Sequence, residues 1–512
     1  MLINIHRYND PYLDNSLQSF HRLIKEIENQ YPDVVQSQLF PDCLRMEIKD
    51  RERFLNLLDA QIQQEIRVHL YYSRQNKDGT TREDYKHYLP FLGQPPSQYP
   101  LTFRDDKRHQ LLEDAFPKEP SNKGKPCFLC GRFPAQVELT QGVYPFVTKA
   151  ASLTTADYLY ERSISKTYHK VCSLCYLIAS LGWCDPAIPY RSRIQIAPRQ
   201  MVSFLWLPYS FSLEKLHNLK RNLPSQLPLM DEISNVKLAT KEHPPSRYSL
   251  LLAFLESLLL QVAEREVKSL REVSLNIPDE WWFLRIPEGR GMKNVDLGSF
   301  SLPEKVKSAL IECLASSLQP YAHLLGRLEI RDAGERRKRE EERKRTDNLR
   351  EELSHSFLAD DYDSFARLLQ PHPRWIASLP PADGEAKLLE FLKIWRCKDM
   401  FTEQELEVLR KAGRTIALIS DLRGKPSVLY NFMDRVRTPP DMLDSLKEIG
   451  HLLIGVDFEK EEASWLSPDS LDQLVELINA KEKLFGEIKN TLGIFISVEY
   501  AKRRLRERRQ TR

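Results

Sequence analysis

The sequence predicts an α+β protein: a mixed N-terminal region with an inserted four-cysteine zinc finger, followed by an all-helical C-terminal bundle. Three observations carry that prediction. Short alternating apolar runs separated by turn residues recur in the first 300 or so positions. Two C-x-x-C pairs, Cys127/Cys130 and Cys172/Cys175, stand in the first third of the chain. Beyond about residue 353 the apolar side chains recur at helical spacing almost throughout.

A chain of 512 residues exceeds what one hydrophobic core supports, so several domains are expected. Composition divides it into a mixed α/β domain over 1–115, a four-cysteine zinc-finger region over 116–200 and an α+β domain over 201–334. A charged linker helix over 335–352 and a helical bundle over 353–512 complete it. Lys and Arg number 75 against 72 Asp and Glu, a net charge of +3, so any polyanion must be met by a local patch. No basic segment followed by an apolar stretch opens the chain, and the longest apolar run, around Leu250–Leu260, is interrupted by Glu256. A cytoplasmic protein without an export signal or a membrane partner is expected.

Leu17, Phe20, Leu23, Ile24 and Ile27 predict a first amphipathic helix ending at Tyr31-Pro32. Val68, Leu70 and Tyr72 alternate ahead of the turn residues Asn76-Lys77-Asp78-Gly79, which predicts a strand entering a hairpin. Close-set prolines and glycines from Pro90 to Pro145 prevent long helices there. Ile194 and Ile196, then Val202, Phe204 and Trp206, predict a second small sheet, and Trp281, Trp282, Phe283 and Ile286 a further strand. Between them Leu251, Phe254, Leu255, Leu258, Leu259 and Val262 mark a core helix. Residues 335–352 carry almost no apolar side chain and read as a solvated connecting helix. Thr402 with Glu405 forms a capping box, and Ser467-Pro468 starts a helix whose apolar face is Leu471, Leu474, Val475 and Ile478.

Two residues between paired cysteines let both thiolates of a knuckle point at one metal, and two knuckles complete a tetrahedron. Cys127, Cys130, Cys172 and Cys175 are therefore the expected ligands of one structural Zn2+. The 41 residues between Cys130 and Cys172 exceed the roughly 15–20 of a compact ribbon, so the finger carries an insertion. Val143, Tyr144, Phe146 and Val147 within it suggest a short hairpin, and His169 is the only substitute ligand nearby. A redox dithiol would begin a helix directly after a strand, whereas Cys127 follows Ser121-Asn-Lys-Gly-Lys-Pro126. Cys43, Cys184, Cys313 and Cys397 stand alone and read as buried free thiols.

No phosphate loop, nucleophile elbow, zinc-protease helix or dinucleotide turn occurs, and the histidines are scattered singly. The acids Asp360, Asp361 and Asp363 sit where helix capping explains them. No catalytic residue is assigned, and the expectation is that the protein is not an enzyme. Basic side chains concentrate beside turn or aromatic residues: Lys123, Lys125 and Arg132 at the first knuckle; Arg191, Arg193 and Arg199 after the second; Arg290 and Lys293 in a glycine-bearing loop. The tail adds Arg503, Arg504 and Arg506. These are the candidate nucleic-acid contacts, with Phe128, Phe133 and Tyr190 placed to stack on bases.

The order of parts, with two cysteine knuckles in the first third and a helical C-terminal region, resembles the large subunit of type I-B CRISPR Cascade complexes, in the subgroup marked by paired C-x-x-C motifs. The resemblance implies a subunit that reads the short motif beside a target, grips the 5′ handle of a guide RNA, holds the displaced strand and recruits a helicase-nuclease or transposition proteins. Its partners would be guide RNA, target double-stranded DNA and CRISPR backbone subunits. They would include a small subunit if an internal start, for instance near Met400, releases the bundle. A free-standing zinc-ribbon regulator of nucleic acid is the alternative.

Overall fold

β1 (Leu2–His6), β2 (Val35–Leu39) and β3 (Cys43–Ile48) form an antiparallel sheet in the order β1-β3-β2. Over this computed structural model the description covers every residue except 70, 76–77, 86–104, 120, 122, 133, 140–142, 145–169, 183–189, 198–199, 223–246, 267–268, 275–277, 279, 288–295, 333–338, 373–374, 380–382, 398–399, 457–465 and 511–512. Between β1 and β2 runs α1 (Pro11–Gln30), the helix that periodicity predicts. Asp10 caps it by accepting from the Leu13 amide at 2.8 Å, and Pro11 occupies its first turn.

Its apolar face buries Leu17, Phe20, Leu23, Ile24 and Ile27, but the polar face is buried too. Asn15 donates to the carbonyls of Pro11 and Pro208 at 2.6 and 2.8 Å, and Gln18 donates to that of Leu213 at 3.0 Å. Polar side chains that bond to backbone carbonyls can be buried at little cost, so α1 becomes the axis of its unit, not a surface helix.

α2 (Arg51–His69) buries Phe54, Leu55, Leu58 and Ile62. It continues through Val68, so the strand expected from that residue begins later, in the hairpin β4 (Tyr71–Gln75) and β5 (Thr81–Tyr85). α3 (Asp105–Ala115), the two-residue strands β6 (Val137–Glu138) and β7 (Lys170–Val171), and α4 (Ser173–Leu181) follow. Val143 and Tyr144 are fully buried; Phe146 and Val147, the rest of the expected hairpin, lie outside the described residues.

The second sheet matches expectation. β8 (Tyr190–Ala197), β9 (Gln200–Tyr209), β10 (Glu280–Pro287) and β11 (Asp296–Ser301) are antiparallel in the order β11-β10-β9-β8. α5 (Leu213–Asn222) leaves β9, and α6 (Arg247–Glu266) with α7 (Leu270–Ser274) precedes β10.

The chain divides into two compact units, Met1–Leu238 with Gln261–Leu302, and Ala239–Leu260 with Pro303–Arg512. In the first, one core holds the α1 face, Phe54, Phe116, Leu177, Leu207 and three of the four motif cysteines. The four-cysteine segment thus shares a core with the residues before and after it.

The second unit contains most of α6, then α8 (Glu304–Ala315), a π-helical turn over Pro320–Leu324, β12 (Glu329–Asp332), α9 (Arg339–Leu358), α10 (Tyr362–Leu368) and β13 (Trp375–Ser378). α11 (Gly384–Leu392), α12 (Glu403–Leu422), α13 (Ser427–Arg435), α14 (Pro439–Leu453), α15 (Asp469–Ala480) and α16 (Phe485–Gln510) complete it. Apart from β13, which pairs with β12, the described elements beyond 353 are helical as expected. Thr402 and Glu405 form the capping box of α12. α12 packs closely on α16: a Cβ at Gly413 would stand 2.8 Å from Phe495 Cβ, 3.1 Å from the Ile496 nitrogen and 3.2 Å from the Leu492 carbonyl.

The charged run expected as a solvated linker forms much of α9; Glu340, Glu341, Arg343, Lys344 and Arg345 are exposed as expected, while Thr346, Leu349 and Arg350 are buried in this unit. Thr346 accepts from the Ile330 amide at 2.9 Å, and Arg350 Nε donates to the Leu328 carbonyl at 2.8 Å. Glu351 accepts from the amides of Tyr248 and Ser249 at 2.7 and 3.0 Å, satisfying the start of α6. With Leu349, Leu353 and Phe357 buried on one face, these bonds hold the C-terminal half of the helix. Among the described residues no helix is long and apolar enough to cross a membrane.

Candidate metal centre

The first knuckle is a tight turn. The Gly131 amide donates to the Cys127 carbonyl at 2.9 Å and the Cys127 amide to the Arg132 carbonyl at 2.7 Å. Gly131 takes φ +72°, a left-handed conformation that glycine adopts without a Cβ clash. β6 and β7 then staple this turn to the second knuckle, aided by the Phe128 amide on the Lys170 carbonyl and the Gln136 amide on the Val171 carbonyl, both at 3.1 Å. Cys172 is the N-cap residue of α4 and Cys175 lies in its first turn, where the positive end of the helix favours thiolates.

The four sulfurs converge within 4.8 Å of one another, with Cys130 Sγ and Cys172 Sγ 3.7 Å apart. A tetrahedron with metal–sulfur distances of about 2.3 Å has edges of about 3.8 Å. The donor set therefore fits a tetrahedral metal ion. Cys127, Cys172 and Cys175 are buried and Cys130 is exposed. Hydrogen bonds from the other three sulfurs hold the Cys127 thiol well below its ordinary range, while the same contacts and burial push Cys175 well above it. Four thiolates brought this close would need a cation among them. The Tyr8 hydroxyl lies 3.2 Å from Cys175 Sγ, and burial followed by the nearby sulfur keeps it protonated, so it stands as a donor to a thiolate.

Beside the centre lies a pocket of about 150 Å³ whose lining includes His6, Arg7, Arg132, Cys130 and Cys175. Tyr8 and this pocket carry no sequence signal, because β1 reaches the cysteines only through the fold. His169 lies outside the described residues. Of the lone thiols, Cys43 and Cys313 are buried as expected, and Cys184 lies outside the described residues.

The basic candidates are dispersed. Lys123 and Lys125 are exposed on the approach to the first knuckle, and Arg132 is half-buried against it. Arg191 and Arg193 occupy alternate positions of β8, an edge strand, opposite Leu205 and Ser203 of β9. Arg199, Arg290 and Lys293 lie outside the described residues, as does Phe133. In α16, Arg503 pairs with Asp421 and Glu499, both at 3.4 Å, and Arg504 donates to the Tyr500 hydroxyl at 3.2 Å. Those two arginines are held within the helical unit; Arg506 continues the same helix.

The clustered acids have structural partners. Asp361 caps α10 through the Ser364 amide at 3.0 Å, Asp363 accepts from Asn490 at 3.0 Å, and Asp360 accepts from the Trp395 indole at 2.8 Å. No protein-family model matches this chain, and no curated protein sequence matches it significantly.

Proposed function

We propose that this chain is a non-catalytic, zinc-bearing large subunit of a type I CRISPR RNA-guided DNA-binding complex acting in the cytoplasm. The observation that carries the reading is the order of parts: a mixed unit built around a four-cysteine centre, followed by a helical unit. Zinc is the ion that four converging thiolates in a tetrahedral arrangement favour, with Cys127, Cys130, Cys172 and Cys175 as ligands. Bound there it has no open position, so it supplies fold stability and no Lewis-acid chemistry.

On this reading base pairing to the guide supplies sequence selection, and the protein contacts the duplex beside the target and the backbone of both nucleic acids. Lys123 and Lys125 are exposed next to the centre and are the first candidates for phosphate contact. An internal start that releases the helical bundle as a small subunit would fall ahead of Met400. A product starting at Met400 would leave behind Phe357, Phe365, Phe391 and Trp395, whose rings pack on one another at centroid distances of 5.0–5.8 Å. It would also lose the Tyr362–Thr491 hydroxyl contact at 2.5 Å that ties α10 to α16.

The test is expression of the chain with a guide RNA and the backbone subunits encoded alongside it. Co-purification with RNA of uniform length supports the reading. Tight, salt-sensitive binding of duplex DNA by the purified single chain, with no RNA retained in any preparation, favours the free-standing regulator instead.

A further inference from the structure

We propose that His6, Asp42 and Cys43 form a second metal site, open on one side, for a borderline divalent cation such as zinc or cobalt. The inference stands apart from the proposed function and needs only the geometry of the first sheet. One ligand atom from each of the three residues lies within 4.8 Å of the other two. The set offers an imidazole nitrogen, a carboxylate oxygen and a sulfur, a mixture suited to zinc or cobalt and poorly suited to magnesium or calcium.

The backbone holds these residues in place. His6 faces Cys43 across β1 and β3, and the Arg7 amide donates to the Asp42 carbonyl at 2.9 Å. That bond makes His6–Cys43 a non-hydrogen-bonded pair, the antiparallel arrangement in which opposed side chains come closest. The Phe40 amide donates to the Cys43 carbonyl and the Leu213 amide to the Pro41 carbonyl, both at 2.8 Å, so the turn carrying Asp42 is tied on both sides. His6 and Asp42 are exposed, while Cys43 is buried. A cation placed among them would have three protein ligands and at least one position open to water or to an oxygen ligand, unlike the closed four-cysteine centre. His6 also lines the pocket beside Cys130 and Cys175.

The probe is cobalt(II) added to protein dialysed against metal-free buffer until one zinc per chain remains, followed by absorption in the thiolate-to-cobalt charge-transfer region and by native mass spectrometry. The expected species carries one zinc and one cobalt, with charge transfer from a single thiolate. Cys43→Ala should abolish the band. His6→Ala and Asp42→Ala, both at exposed positions that leave the fold intact, should weaken cobalt binding by more than the roughly 10–100-fold typical of losing an outer-shell partner. Cobalt that enters only by displacing zinc, or that binds as tightly to His6→Ala and Asp42→Ala as to the parent, overturns the site.

Discussion

Glu256 is the one charge in the apolar run of α6, and it is buried in the second unit. Its Oε1 accepts from the Tyr321 amide at 2.5 Å and its Oε2 from the Ala322 amide at 3.2 Å, at the start of the π-helical turn. Burial pushes this carboxyl up to about 8, against the pull of the two amides. The folded state therefore holds a proton that the unfolded chain, with an ordinary value near 4.5, releases much earlier. Stability from this group is full below about pH 4.5 and is lost as pH rises towards 8. The limit of that loss is roughly 5 kcal/mol, at about 1.4 kcal/mol for each pKa unit between 4.5 and 8. Glu256→Gln cannot ionise, but its NH2 would face one of the two amide donors, which costs about 1–3 kcal/mol. Urea unfolding followed by far-ultraviolet circular dichroism from pH 5 to 9 should show the variant less stable at pH 5, with the gap closing or reversing by pH 9. Parallel stability curves across that range would mean that Glu256 is already ionised in the fold, and the reasoning fails.

His21 is buried with neither ring nitrogen hydrogen-bonded, and burial, with His217 and Lys25 adding to it, lowers its pKa to about 4. Its neutral form is favoured by folding, so stability is present above about pH 6.5 and falls by up to roughly 3 kcal/mol as the pH drops towards 4. His21→Leu should flatten that acid limb in thermal melts; an unchanged slope assigns the limb to other groups. Gly413→Ala should destabilise the helical unit by about 1–3 kcal/mol, since two of the three close neighbours are backbone atoms that cannot rotate away. A urea midpoint equal to the parent's would show that α12 and α16 can separate without loss. Arg290→Glu with Lys293→Glu should weaken target-DNA binding and reduce its salt dependence, as expected when phosphate contacts are lost; unchanged values remove both residues from the candidate contacts.

Much of this structure is legible in the sequence, and the gaps have physical causes. Spacing alone identifies Cys127, Cys130, Cys172 and Cys175, because a metal ligand pair must sit on one turn. Periodicity finds α1, and Thr402 with Glu405 marks the start of α12. The strands β6 and β7 stay hidden because two residues cannot display an alternation, although they join the two knuckles. Residues 340–345 are largely solvated as read, while the buried half of α9 is missed because the 352–353 boundary divides its apolar face of Leu349, Leu353 and Phe357, and Thr346 and Arg350 bond to backbone groups. His6 and Cys43 read as a scattered histidine and a lone thiol because only strand register brings them together. The α2 boundary slips past Val68 because an alternating trio is too short to separate a helix end from a strand.

Metal content is the measurement closest to the central claim. Protein purified without chelator and dialysed against metal-free buffer should retain one zinc per chain. The exposed three-residue site is emptied by that treatment, while the four-cysteine centre keeps its ion. Cys127→Ser with Cys172→Ser should lose the zinc and destabilise the first unit, whose core contains both side chains, because metal binding and folding are one equilibrium. Parent protein free of zinc after this preparation, or a double variant that retains it with unchanged stability, contradicts the account.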